Sequence, residues 1–209
     1  MYNLPYFKEN NEEVVISFMK SNPFAMLIGC NNNMPVATQV PFLFHEKDGK
    51  MYLKGHIMKN TDHHKALQKN PNVLCVFSGA HTYVSASWYS NPQTASTWNY
   101  MSVHVKGILT FLDENSLLAI LKETTDHFEN NSFSKASFDN LPKDYVAGLA
   151  KAIIGFEIEV VSIDNVFKLS QNRDEESYQN IVKELESKDP QAMDIAEEMK
   201  KRFKSHFKK

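Results

Sequence analysis

Over the first 112 residues apolar and polar positions mostly alternate in short runs, the period of a strand with one buried face, and helical spacing becomes prominent after them. Phe24–Cys30 and Pro35–Phe44 flank Asn31-Asn32-Asn33 and predict a hairpin, because asparagine tolerates the positive φ that tight turns need. Asp48-Gly49 opens a strand over Met51–Ile57, and Val73–Ser78 and His81–Tyr89 read as two strands joined at Gly79. Trp98–Leu112 predicts a long strand in which Val103, Val105 and Gly107 alternate with Ser102, His104 and Lys106, and Ile153–Val161 is the last.

Between and after these runs the signals are helical. Asn10 or Asn11 can cap a helix that carries Glu12 and Glu13 in its first turn and Val14, Val15 and Phe18 on its apolar face. Asn60 or Thr61 caps a short helix over Asp62–Lys69, which Asn70-Pro71 ends, and longer helices are expected at 114–128, 139–150, 174–187 and 190–206. Tyr178, Ile181, Val182 and Leu185 share one face of the third of these, and Pro190 stands in the first turn of the fourth, where it costs no hydrogen bond. Seven strands, mostly antiparallel and joined by short helices, argue for a mainly β fold, a β-barrel with helical additions, rather than a doubly wound sheet.

Composition leaves that fold class intact and narrows the partners. A chain of 209 residues with 42% hydrophobic and 23% charged residues is globular and fits one domain with or without a tail. No apolar run approaches the roughly 18 residues of a membrane span, and Met1–Glu13 is too polar for a signal peptide, so a cytoplasmic location and no membrane partner are expected. Cys30 and Cys75 sit in apolar strand-like runs and read as buried reduced thiols. The 23 Lys and Arg against 25 Asp and Glu give a net charge of −2, but residues 199–209 hold six of the basic residues and no acid, which leaves 17 against 25, or −8, elsewhere. A basic stretch at a helix C-terminus is first explained by the helix dipole. The acidic remainder repels a phosphate backbone and no helix-turn-helix with base-reading side chains is present, so direct DNA binding is not expected.

Three constellations could carry chemistry. No glycine-rich phosphate loop, G-x-S-x-G, H-E-x-x-H or C-x-x-C occurs. His63 and His64 point about 100° apart on a helix and cannot chelate one ion together, while His56, His81 and His104 lie on separate strands, so no metal site is expected. His56 and the Asn60 to Lys65 stretch, which includes His63 and His64, gather donors and a cation at a helix start, where phosphate is favoured, although Asp62 adds an acid. The stretch from His81 to His104 holds both tryptophans, Trp88 and Trp98, with Tyr89 and Tyr100 beside them, and its alternation puts the hydroxyls of Ser85 and Ser87 on one strand face; a flat ligand with polar edges suits such a wall.

The start MYNLPYFKENN and the segments HTYVSASWY, STWNYMSVHVKG and KLSQNRDEESY resemble the PaiB-type proteins, described as FMN-binding negative transcriptional regulators, from Met1 to about Arg202. The resemblance implies an FMN-binding split β-barrel, antiparallel and Greek-key-like, similar to pyridoxamine-phosphate oxidases. It implies a barrel domain over 1–170 with a helical extension over 171–209, and a homodimer with FMN as cofactor. It also implies a site: His56, Asn60, His63, His64 and Lys65 near the flavin phosphate, Val36, Ala37, Thr38 and Gln39 with Ser85, Trp88, Trp98 and Asn99 along the ring, and Gln171 and Arg173 as a polar cluster near the phosphate or flavin edge. The family commonly reads Thr-His where this chain has Thr38-Gln39, and Asn-Pro-Gln-Trp where it has Thr61-Asp62-His63-His64. Besides an FMN-binding regulator, the sequence leaves open a flavin-dependent oxidoreductase and a haem-binding or cofactor-free barrel, the latter because five histidines lie between residues 56 and 104. No catalytic acid or base is named by the sequence.

Overall fold

The computed structural model describes residues 1–129 and 135–207. In chain order the elements are α1 (Glu12–Ser21), β1 (Phe24–Asn31), β2 (Met34–Pro41), β3 (Leu43–Lys47), β4 (Lys50–Met58), α2 (Asp62–Lys69), β5 (Asn72–Val84), β6 (Thr97–Phe111), α3 (Glu114–Glu129), α4 (Lys143–Ala150), β7 (Ile153–Lys168), α5 (Glu175–Leu185) and α6 (Pro190–Phe207). The seven strands form one sheet in the order β2-β1-β5-β6-β7-β4-β3. Pairing of β1 with β2 and β5, and of β4 with β3 and β7, is antiparallel. The chain forms two compact units. The first comprises Met1–Met19, Ser78–Val103 and Asp164–Lys209, and the second Lys20–Phe77 and His104–Ile163.

In the second unit local chemistry sets the turns. Asn32 and Asn33 take φ of 46° and 69° and close the β1–β2 hairpin, and Asp48 and Gly49 at 53° and 71° close β3 on β4, so that dipeptide is a complete two-residue turn. The expected single strand over Pro35–Phe44 is two. Phe42, 1% exposed, donates its N–H to the Pro23 carbonyl at 2.9 Å and is the corner at which the chain leaves β1 and joins β4. A one-residue link between the two edge strands requires the sheet to curl on itself, as a barrel does. Phe42, Phe77 and Phe156 fill the interior there, with centroids 5.5 and 6.1 Å from Phe42. Cys75 is fully buried with its thiol pushed up to about 12 by desolvation, whereas Cys30 is only half-buried.

Two further expected strands differ, both continuing from the second unit into residues of the first. Residues 73–78 and 81–84 are one continuous β5, and the chain then turns through a 3-10 helix at Ala86–Trp88, started by the Ser85 hydroxyl accepting from Ser87 N–H. Ser85 and Ser87 are therefore turn residues whose hydroxyls bond each other at 2.8 Å. β7 runs on to Lys168, beyond the expected end at Val161. Asp174 caps α5 by accepting from Ser177 N–H at 2.8 Å, and Asp189 caps α6 by accepting from Ala192 N–H at 3.1 Å. Tyr178, Ile181 and Leu185 of α5 and Ile195, Ala196 and Met199 of α6 are buried, with the Tyr178 hydroxyl donating to the Met199 carbonyl at 2.9 Å. Lys200, Lys201 and Arg202 pair with Glu186, Glu198 and Glu9, which accounts locally for three of the six basic residues of this helix end; Lys208 and Lys209 lie outside the described residues. No helix among the described residues is long and apolar enough to cross a membrane.

Candidate functional site

The second unit presents a polar corner where α2 begins. Asn60 takes φ of 65° and Thr61 caps the helix: its hydroxyl accepts from His64 N–H at 3.1 Å and donates to the Met58 carbonyl at 3.2 Å. Asp62 accepts from His63 N–H at 2.8 Å, and Lys65 N–H donates to the Thr61 carbonyl at 3.1 Å. The first-turn amides are thus largely engaged inside the chain, so an anion here depends on side chains. Those available are exposed Asn60 and Lys65 and half-buried Thr38.

Both histidines are buried, although their ring directions differ. His63, 2% exposed, shares a hydrogen bond of 2.7 Å with the Thr38 hydroxyl through Nδ1. His64 accepts from Asn60 N–H at 3.0 Å through Nδ1, which places its proton on Nε2, and meets Phe111 edge-on at 5.0 Å. Neither Nε2 has a hydrogen-bond partner. Desolvation lowers the pKa of both rings, helped at His64 by Lys59 and Lys65 and opposed at His63 by Asp62. His56, half-buried on β4, is lowered by desolvation alone. Thr38 belongs to β2, an edge strand, where Val36 is half-buried and Ala37 and Gln39 are exposed. The corner therefore joins Thr38 to His63 and Asn60 to His64, with the Lys65 charge acting on His64, while no hydrogen bond or ion pair ties His56 to it among the described residues.

The first unit carries an aromatic face. Trp98, 53% exposed, lies 6.1 Å from His81 and 6.0 Å from Tyr83, and with Tyr100 and Ser102 it lines a hollow of about 360 Å³. Asn99, the next residue along β6, points the other way into the core, where it accepts from the Ser170 hydroxyl at 3.0 Å and donates to Met199 Sδ at 3.5 Å. Trp88 lies on a different element with Lys188 5.0 Å over its ring. Gln171 spends both ends of its amide on the Leu169 N–H and the Phe167 carbonyl. Arg173 stacks 4.1 Å over Tyr89. Lys168, which the sequence reading does not single out, joins this face through the Trp98 carbonyl; its one sequence signal is its place at the head of the KLSQNR segment.

Residues 1–162 match a family described as "Putative FMN-binding domain". Along the whole chain, the protease synthase and sporulation protein PAI 2 of Bacillus subtilis is 33% identical over 208 residues, covering 99% of this chain and all of that protein. Among solved structures, the flavocytochrome Anf3 of Azotobacter vinelandii superposes with a TM-score of 0.57 at 16% identity, over 86% of this chain and 78% of that one. An FAD and heme binding protein of Mycobacterium smegmatis gives 0.54 at 14% identity, over 77% and 72%.

Proposed function

The chain belongs to this FMN-binding domain family, and from that premise we propose that it is a PaiB-type FMN-binding protein whose cofactor phosphate sits at the start of α2. The observation that carries this placement is the polar corner at which Thr38 is bonded to buried His63, the Asn60 N–H to buried His64, and the Lys65 charge is near enough to act on the His64 ring. These residues fit a phosphate monoester through side-chain donors, with Lys65 supplying the charge. His63 holds Thr38, and His64 holds the Asn60 backbone in its left-handed turn. The ring then lies along Val36 to Gln39, where the outward N–H and C=O groups of an edge strand match the donors and acceptors of a flavin edge. Bound FMN supplies one- and two-electron redox chemistry. A homodimer and a role in negative regulation of transcription complete the proposal; both rest on the resemblance.

Titration with FMN tests the placement. Lys65→Gln is expected to weaken binding by about tenfold, the 1–2 kcal/mol of a charge-assisted hydrogen bond. Asp62→Asn keeps the oxygen that accepts from His63 N–H and removes a negative charge from the phosphate turn, so it should tighten FMN by roughly threefold. Unchanged affinity in both variants contradicts the site. A second reading puts the ring on the face of Trp98, Tyr83 and His81, favoured by the 360 Å³ hollow. Loss of FMN in Trp98→Ala with no effect of Lys65→Gln selects it.

A further inference from the structure

We propose that Lys168 and Arg173 form a second oxyanion site, in the first unit, built for a dianionic phosphate monoester. Lys168 ends β7, and the chain then turns through Ser170, with φ of 63°, to Arg173, whose N–H donates to the Ser170 carbonyl at 3.0 Å. Gln171 folds back on the same turn with both amide ends engaged, so the two cations are held on a rigid loop before any ligand arrives. Both reach one segment: Lys168 Nζ donates to the Thr97 hydroxyl and, at 2.6 Å, to the Trp98 carbonyl, and Arg173 Nη2 reaches the Ala95 carbonyl at 3.4 Å. Aromatic rings back each of them, Phe7 at 5.7 Å from Lys168 and Tyr89 at 4.1 Å from Arg173.

What is missing is negative charge. Among the described residues no carboxylate forms an ion pair with either cation, and the segment they clamp belongs to residues 78–103, which contain no Asp, Glu, Lys or Arg. Asp174, the next residue after Arg173, spends its oxygens on Ser90 and Ser177. Arg173 Nε is buried without a partner. Burial, and after it the charge of Arg173, lower the pKa of Lys168, the direction expected of a cation with no counter-ion. Two cations suit a dianion; a carboxylate would neutralise only one. The Thr97 hydroxyl, which accepts from Lys168, has its own proton to give to a third oxygen, as phosphate recognition uses. The resemblance groups Arg173 with the flavin; the site proposed here is one that phosphate fills while FMN is already bound.

Inorganic phosphate is the probe, titrated into FMN-saturated protein and followed by amide chemical shifts. Saturable shifts centred on Ala95–Trp98 and Lys168–Arg173, competed by sulfate and absent with acetate or chloride at equal ionic strength, are expected. Lys168→Gln and Arg173→Gln should each weaken binding at least about tenfold, with Arg173→Lys retaining part of it. No saturable binding, shifts centred on residues 59–65, or release of FMN by phosphate overturns the proposal; the first needs no variant to fold. A protein that takes up no FMN yet shows the 95–98 and 168–173 shifts removes the cofactor reading and supports this one.

Discussion

Two adjacent histidines carry the most specific consequence at the scale of single residues. His63 and His64 are buried with their pKa values held below the ordinary value near 6.5. The unfolded chain therefore binds protons more readily than the folded one just below that pH, and stability falls as pH drops through it, while above about pH 7 the two groups contribute no slope. Urea unfolding midpoints should decline between pH 7 and 5, and His64→Gln should flatten the decline; a midpoint that rises toward pH 5 contradicts the burial of the neutral rings. The residue types and the Thr61 cap were legible in the sequence, because capping is local chemistry. Burial of both rings was not. It arises because α2 packs on β1 and β2 through one side and meets Phe111 through another, contacts that join positions far apart in the chain.

At the scale of elements, one glycine shows how tightly the strands approach. A Cβ at Gly107 would lie 2.4 Å from Ile158 Cγ2 and 2.6 Å from the Glu159 carbonyl oxygen. The second neighbour is backbone and cannot turn aside, so Gly107→Ala should cost about 1–3 kcal/mol or more, read as a lower denaturation midpoint. An unchanged midpoint would mean that β6 and β7 do not approach as described. Alternation did group Gly107 with Val103 and Val105 on one face of a long strand. It could not place the corner at Phe42, because Val40 to Phe44 is almost continuously apolar and the sheet switch is set by pairing partners rather than by period. For the same reason β5 reads through Gly79 without a break, and Ser85 and Ser87, which alternate like strand residues, close a 3-10 turn instead.

At the scale of the molecule, the uneven charge resolves into local pairs. Three of the six basic residues of the C-terminal stretch are matched by carboxylates, while an uncompensated positive charge stands instead at Lys168 and Arg173. Long motifs made the family legible, and the strand count and turn chemistry made the barrel legible independently of it. Of the candidate site residues, Thr38 and Asn60 are bonded to His63 and His64 at the α2 corner, whereas Asn99 and Gln171 hold their own surroundings together, a distinction that only side-chain direction reveals. The central claim is that this barrel carries FMN. The most direct test is the visible absorption spectrum of the purified protein during titration with FMN. Bands near about 370 and 450 nm that shift on binding and saturate at about one FMN per chain are predicted; a colourless protein that leaves added FMN free in solution contradicts the account.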